Sequence, residues 1–136
     1  MKKLLPLVIL TLLAAPLSLR AQNDGYDIFK PISSYLGSGD VKHLGVWFDD
    51  TLELTLLTRS INSSKNQAEK SLTSFFNTYP PTSFKVVYKV SKSNMKYCTG
   101  ILKAGRDTFD VTIFLVLKGD SFWIQQLKFE RSTAPY

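Results

Sequence analysis

Residues 107–130 read DTFDVTIFLVLKGDSFWIQQLKFE, two runs of alternating side chains joined by a short polar turn at 118–120. β-Branched and aromatic residues dominate both runs, and alternation with a period of two is typical of half-buried β-strands. The glycine and the aspartate between the runs favour a tight turn. This segment therefore predicts a long antiparallel hairpin at the centre of a sheet.

The register of the hairpin depends on the length of its turn. A three-residue turn at 118–120 pairs Leu117 with Ser121 and sets Asp110 opposite Lys128, a favourable cross-strand ion pair. The face under the helices then carries Gln125 together with Phe109, Val111, Ile113, Leu115, Leu117, Trp123, Leu127 and Phe129. The outer face carries a cluster that is unusually apolar for a solvated antiparallel sheet: Phe114, Val116, Phe122 and Ile124.

Alternation also predicts strands at 52–56, 84–90 and 96–103, before the hairpin. In the second of these, the apolar positions are Phe84, Val86, Tyr88 and Val90. The turn near Gly105 leaves two registers open. A two-residue turn puts Cys98, Gly100 and Leu102 under the helices, whereas a three-residue turn puts Tyr97, Thr99 and Ile101 there.

Helical spacing of apolar residues predicts three helices in the N-terminal half. The first carries Phe29, Ile32 and Leu36 and stops at Gly37-Ser38-Gly39. The second begins at the cap Asp40, presents Val41, Leu44 and Phe48, and ends at a solvated Asp49-Asp50. The third follows Asn62-Ser63-Ser64 and buries Ala68, Leu72, Phe75 and Phe76.

The resulting order is α-α-β-α-β-β-β-β, with helices first and strands last. Such an order predicts an α+β fold in which N-terminal helices pack on a curved antiparallel sheet. No repeat or linker interrupts residues 22–136, so we expect a single domain there.

The first 21 residues have the layout of a signal peptide. Lys2 and Lys3 precede an apolar run at 4–19, and polar residues follow Ala21. We expect cleavage near Ala21 and export to the periplasm or beyond. No segment of the mature chain is apolar enough to span a membrane.

Charge and reactive residues exclude several classes of function. The chain has 17 lysines and arginines against 11 acidic residues, a net charge of +6. Removing residues 1–21 takes away Lys2, Lys3 and Arg20 and no acid, which leaves +3, too little to predict a nucleic-acid partner. One cysteine and one histidine cannot build a four-ligand zinc site or an internal disulfide. We expect no metal and no cofactor.

Several motifs resemble the nuclear transport factor 2-like, or cystatin-like, superfamily. Its opening is similar to Ser38-Gly39-Asp40 followed by WFDDT at 47–51. DIFKPI at 27–32, SFKVV at 83–87 and IQQL at 124–127 resemble a family of small exported bacterial proteins whose domain has no assigned function. The resemblance implies a cone, in which a curved sheet wraps the helices around a pocket. It also implies a choice among isomerases, dehydratases, hydrolases and non-enzymatic binding or dimerisation modules.

The sequence favours a non-enzymatic domain over a pocket enzyme of the lyase or isomerase kind. An isomerase of this class needs a carboxylate base inside its pocket, and the core-facing positions of the last two strands carry none. Asp40 is better explained as a helix cap. His43 lies one turn from Trp47 without a fixed partner, and Cys98 sits among aromatic and small residues, as a buried filler would.

Four residues are candidates for contacts with a small apolar molecule in the cone: Trp47, Tyr88, Trp123 and Gln125. The amide of Gln125 needs a hydrogen-bond partner when it lies among apolar neighbours. The outer cluster of Phe114, Val116, Phe122 and Ile124 predicts a homodimer through that face of the sheet.

A group of lysines falls on two adjacent strands: Lys85, Lys89, Lys92, Lys96 and Lys103. We interpret them as solvated charges that block edge pairing, since no set of stacking aromatics accompanies them as in a polyanion site.

Overall fold

A computed structural model describes residues 26–133, so the expected signal peptide at 1–21 lies outside the described residues. In chain order the elements are α1 Phe29–Ser38, α2 Val41–Leu44, a 3₁₀ turn Gly45–Trp47, β1 Phe48–Leu56, β2 Arg59–Ser64, α3 Lys65–Thr78, β3 Ser83–Ser91, β4 Met95–Ala104, β5 Asp107–Lys118 and β6 Ser121–Arg131.

The six strands form one curved sheet in the order β2-β1-β6-β5-β4-β3, and the helices pack on its inner face. This arrangement confirms the predicted α+β fold of helices on a curved sheet. Two details differ from the expectation. Strand β2 occupies residues expected to form a turn, and β1 runs parallel to β6, which makes the sheet mixed. Most residues of β2 are exposed, so its sequence carries no alternation that could reveal it.

Helices α1 and α3 bury the faces that their spacing predicts. Phe29, Ile32 and Leu36 are buried on α1, which ends at Gly39 in the left-handed conformation, with φ at 69°. Helix α3 begins with a capping box between Ser64 and Gln67. Its predicted apolar face is fully confirmed as buried: Ala68, Leu72, Phe75 and Phe76.

Helix α2 is shorter than predicted. Asp40 caps it as expected, accepting a hydrogen bond of 3.2 Å from the backbone N–H of His43. The helix ends at Leu44, and after one 3₁₀ turn the chain becomes extended at Phe48. The prediction that Asp49 ends a helix in solvent is therefore wrong, because Asp49 lies within β1 and is 6% exposed.

The register predicted for the last hairpin is also wrong. The turn has two residues, with Gly119 at φ 66°, so Lys118 pairs with Ser121. A bulge at Gln125 then restores the inward orientation of Leu127 and Phe129. Asp110 consequently lies opposite Glu130, and Lys128 lies opposite Thr112, so the predicted pairing of Asp110 with Lys128 is wrong.

The same shift changes which residues share the outer face. Ile124 is fully buried opposite Leu115, and Phe122 packs against the core. Trp123 instead lies opposite Val116 on the outer face. Of the four residues expected in the outer cluster, Phe114 and Val116 are there and Phe122 and Ile124 are not.

The other uncertain register resolves to the two-residue turn. Ala104 pairs with Asp107, and the residues turned toward the helices are buried: Cys98, Gly100 and Leu102. A bulge at Val87 interrupts β3, so Tyr88 and Val90 face outward opposite Thr99 and Tyr97. Phe84 and Val86 keep the inward orientation and pack against the core. The predicted alternation of β3 thus holds before and after the bulge, but the bulge reverses the faces of the residues that follow it.

Aromatic rings occupy the space between α3 and the sheet. The ring of Phe75 lies 5.4 Å from those of Phe109 and Phe129, and Phe76 meets Phe129 edge-on at 5.8 Å. Tyr79 closes the group at 5.1 Å from Phe109. Packing of this density is typical of a filled core.

Candidate functional site

A break between β1 and β6 holds the most unusual polar side chain of the described chain. Phe48 pairs with Ile124, but the next paired residues are Glu53 and Gln126. On the β6 side, residues 49–52 of β1 therefore face a single residue, Gln125, at the bulge of β6. The carboxylate of Asp49 sits in this gap, with its side chain 8% exposed.

Hydrogen bonds hold that carboxylate on both oxygens. The ammonium of Lys118 lies 3.1 Å from each oxygen, and the amide Nε2 of Gln125 donates to Oδ2 at 3.0 Å. The backbone N–H of Asp50 donates to Oδ1 at 2.8 Å. We call Asp49, Lys118 and Gln125 the polar cluster. In the polar cluster, the buried carboxylate of Asp49 and the amide of Gln125 both have hydrogen-bond partners.

The balance of these contacts keeps Asp49 charged. Burial by itself raises the pKa of a carboxyl, but the hydrogen bonds from Gln125, Lys118 and the backbone of Asp50 outweigh it and lower the pKa of Asp49 below its usual value. A carboxylate that is this well paired is a weak proton acceptor. The polar cluster is therefore suited to holding structure and to electrostatic contacts, and poorly suited to general base catalysis.

Two grooves open beside the polar cluster. One has a volume of about 260 Å³ and is lined by Phe48, Asp49, Asp50, Lys65, Lys118 and Trp123. The other, of about 440 Å³, is lined by Thr51, Leu52, Glu53, Asn62 and Gln125. Gln126 donates to Glu53 at 2.6 Å beside the second groove, so the two consecutive glutamines each bind an acid of β1.

The structure does not bring the four predicted site residues into one pocket. Trp123 and Gln125 lie on either side of Asp49, while Trp47 is partly buried against the core just before β1. Tyr88 is far across the sheet on the edge strand β3, with 58% of its surface exposed. Sequence reasoning missed Asp49 and Lys118. The signal that could have found Asp49 was the unpaired amide expected at Gln125.

His43 belongs to a helix cap. Its Nδ1 lies 2.7 Å from the Asp40 carboxylate, one turn away, and its ring stacks on Tyr35 at 5.4 Å. The imidazole is exposed, and the contacts that hold it are local to α1 and α2. The sequence predicted a boundary histidine without a fixed partner, whereas the structure pairs its ring with Asp40.

Cys98 is fully buried, as the sequence indicated. Burial, helped by the negative charge of Asp27, raises the pKa of its thiol to about 12 despite the opposing charge of Lys89. Nucleophilic catalysis requires a thiolate, so this cysteine is chemically inert in the folded protein.

Within residues 26–133, no group of three or more His, Cys, Asp and Glu side chains could hold a metal ion. Among the helices described in that range, none is both long and apolar enough to cross a membrane.

The outer face of the sheet carries a second notable surface. Phe114 lies between Tyr97 and Gln126, and Val116 lies between Met95 and Trp123. All the apolar members of this set are half-buried. We call them the outer apolar band: Met95, Tyr97, Phe114, Val116 and Trp123.

The curved, unclosed mixed sheet wrapped around N-terminal helices defines a nuclear transport factor 2-like fold, in agreement with the resemblance seen in the sequence. Residues 29–130 match the family described as a domain of unknown function, DUF4783. That match spans more than half of the chain, and the chain belongs to this family. No curated protein shows significant similarity to it.

Solved structures of two family members are similar throughout. The DUF4783 family protein from Bacteroides uniformis is 19% identical, with a TM-score of 0.76 over 79% of this chain and 100% of the other. The one from Bacteroides ovatus is 20% identical, with a TM-score of 0.72 over 76% and 94%. An NTF-2 like protein of unknown function from Silicibacter pomeroyi is 11% identical, with a TM-score of 0.53 over 74% and 86%. At these identities the likeness shows the fold alone.

Proposed function

We propose that this chain is an exported, non-enzymatic binding or scaffolding domain that works as a homodimer through the outer face of its sheet. The outer apolar band is the observation that carries the proposal. It places the rings of Tyr97, Phe114 and Trp123 on one face, which in a solvated antiparallel sheet is normally polar.

The size of the band supports a modest affinity. Full burial of a large apolar side chain contributes about 1.5–3 kcal/mol. Because these side chains are half-buried already, each adds about 1 kcal/mol when a partner covers it. The bands of both protomers are covered, so their ten side chains contribute about 10 kcal/mol in total, which lies between the lower and the higher estimates of the cost of association, about 4 and about 15 kcal/mol, and we expect a weak dimer.

Sedimentation equilibrium at micromolar concentration tests the dimer. We expect Phe114→Glu and Trp123→Glu to dissociate it, since each puts a charge into the band, and Val46→Glu to leave it intact. Val46 is a suitable control because it is exposed and apolar and is not a member of the outer apolar band. A wild-type protein that stays monomeric at every concentration, or variants that sediment like wild type, would contradict the proposal.

A small apolar molecule in the cone is the second binding mode that we propose, with the resemblance to cone-shaped binding domains as its support. The rings of Phe75, Phe76, Phe109 and Phe129 would have to move to admit it. Native mass spectrometry of protein purified from its own compartment tests this mode. A retained organic mass of constant stoichiometry would support it, and ligand-free protein would count against it.

The alternative of a pocket enzyme has weaker support. The buried carboxylate of the described chain, Asp49, is held charged by Lys118 and Gln125. A lyase or isomerase needs a carboxylate that takes up a proton during turnover. We therefore place the polar cluster with the structural features of the domain.

Export is part of the proposal and has its own test. The mass of the protein recovered outside the cytoplasm should correspond to a chain that begins near Gln22. An exported protein that retains Met1 would contradict cleavage near Ala21.

A further inference from the structure

The hairpin of β3 and β4 concentrates positive charge at one edge of the sheet. Residues 71–106 contain six lysines and arginines and not one aspartate or glutamate. We call residues 83–106 the basic hairpin; its cations are Lys85, Lys89, Lys92, Lys96, Lys103 and Arg106. A charge so one-sided creates a positive field around this edge.

The cations of the basic hairpin lie on both faces of the sheet. Lys85 pairs with Ile101 and shares its outer face, and Lys103 follows on the same face. Lys89 pairs with the buried Cys98, and Lys96 lies over the ring of Phe122, both on the inner side. The positive charges therefore surround the edge instead of covering one flat surface.

Among the described residues, strand β3 is the last strand of the sheet and pairs with β4 alone. Gly37 of α1 lies against the backbone of Ser83 and Phe84, so the open part of this edge begins after them. At its bulge, Val87 and Tyr88 are 62% and 58% exposed. An edge strand with a free row of backbone groups can pair with an extended segment of another chain.

One carboxylate already docks at this edge. Asp27, which precedes α1, binds the ammonium of Lys89 at 2.6 Å. The pKa of Asp27 is lowered, chiefly by that hydrogen bond, so the acid is held in its charged form. This contact shows the geometry by which an acid from outside the hairpin can meet its lysines.

A second copy of this chain is a poor occupant. The other edge of the sheet, β2, carries Arg59 and no acid. The acidic strand β1 is already paired on both sides, with β2 and β6. Pairing of β3 with β2 of another copy would therefore place Arg59 beside the lysines, and pairing of β3 with β3 would place two basic strands side by side.

We propose that the basic hairpin binds an extended, acidic segment of a partner protein, which adds to the sheet as a strand beside β3. Side chains of an added strand alternate between the two faces of the sheet, and the basic hairpin carries lysines on both faces. The same lysines disfavour neutral and basic strands, which makes the edge selective. An anionic membrane is a less suitable partner, since a flat surface would meet the cations of one face only.

This inference rests on the proposed binding role of the domain and does not depend on the dimer. The probe is a nine-residue peptide in which pairs of glutamates alternate with pairs of valines, so that an added strand carries glutamates on both faces, and its length matches that of β3. A second peptide of the same charge has proline in place of two central valines, which removes backbone donors. Fluorescence anisotropy at low ionic strength measures binding to the full mature chain. We expect the first peptide to bind and the proline peptide to bind about tenfold more weakly.

Two pairs of charge reversals locate the site. Lys85→Glu with Lys92→Glu should weaken binding of the first peptide by about tenfold or more, since two attractive contacts become repulsive. Lys42→Glu with Lys70→Glu changes the net charge equally on the helices and should leave binding within about twofold. All four lysines are exposed, and circular dichroism checks that each variant folds.

Each contrary result overturns the inference. Absence of peptide binding, equal effects of the two reversal pairs, or equal binding of the proline peptide would each reject strand addition at β3. Co-sedimentation with phosphatidylglycerol vesicles, lost in Lys85→Glu with Lys92→Glu while the peptide fails to bind, would assign the edge to a membrane. If the protein sediments as a dimer but does not bind the acidic peptide, the proposed function stands and only the acidic partner is rejected.

Discussion

The two ends of strand β6 are stabilised by different physical means. At its C-terminal end, Phe129 packs under the rings of Phe75 and Phe76 and is fully buried. At its N-terminal end, the bulged Gln125 binds Asp49, which Lys118 neutralises. Apolar burial is non-directional and contributes to stability wherever it is dense, whereas a hydrogen-bonded acid has one correct geometry.

The two ends of β6 therefore have different roles: the aromatic end contributes stability, and the polar end fixes the register of the strand. The aromatic end supplies free energy of folding, but neighbouring registers could bury similar rings. The polar cluster supplies less free energy, and it satisfies its buried atoms only when the bulge is at Gln125. Four predictions test this division between stability and register, in order of decreasing effect.

The largest effect is expected at the aromatic end. Phe129→Ala should lower the free energy of unfolding by about 3–5 kcal/mol, because it removes a buried ring and leaves a cavity under α3. Urea unfolding followed by circular dichroism measures it, with the exposed Val46→Ala as a control expected within about 0.5 kcal/mol. A loss below about 1 kcal/mol would show that this end does not dominate stability.

The next effect is expected in the polar cluster. Asp49→Ala should cost about 2–4 kcal/mol, since it leaves the amide of Gln125 and the ammonium of Lys118 without their acceptor. Lys118→Ala should cost less than Asp49→Ala, because Lys118 is half exposed and water can replace part of its role. The same urea titration compares the two, and the reverse order would contradict the assignment of Asp49 as the centre of the cluster.

Lowering the pH should reduce the contribution of the polar cluster to stability more than that of the aromatic end. The pKa of Asp49 in the folded protein lies below the ordinary value of 3.8, so its contribution to stability is present above that value and is lost as the pH falls through the folded pKa. The difference in stability between wild type and Asp49→Asn should therefore shrink as the pH falls from about 5 to about 3. Thermal unfolding across this range measures the difference. A gap that stays constant would mean that folding does not lower the pKa of Asp49.

The smallest change in stability is expected at Cys98. Cys98→Ala removes one buried sulfur and should cost no more than about 1.5 kcal/mol. Because the pKa of the buried thiol is about 12, Ellman's reagent should leave the folded wild type unmodified and react promptly after unfolding. Rapid reaction of the folded protein would place this thiol at the surface, in conflict with its position under the helices.

Much of the fold follows from local pattern. The faces of α1 and α3 are where helical spacing puts them, and Phe109, Val111, Ile113 and Leu115 are buried as their alternation predicts. The candidate site was less accessible to such reasoning. The alternation of β6 predicts an amide at Gln125 that needs a hydrogen-bond partner. The sequence pattern does not identify that partner, because it predicts Asp49 at the solvated end of a helix.

Local sequence pattern is enough to predict the presence of three helices, five of the six strands, the α+β class and the burial of Cys98, because the periods of 3.6 and 2 are properties of neighbouring residues. The bulges at Val87 and Gln125, the strand β2, the end of α2 and the burial of Asp49 depend on contacts between distant parts of the chain. A bulge inverts every later side chain of its strand, and its position is chosen by the neighbours that the strand must fit. Asp49 and Gln125 are 76 residues apart, so their contact exists only once β1 lies parallel to β6.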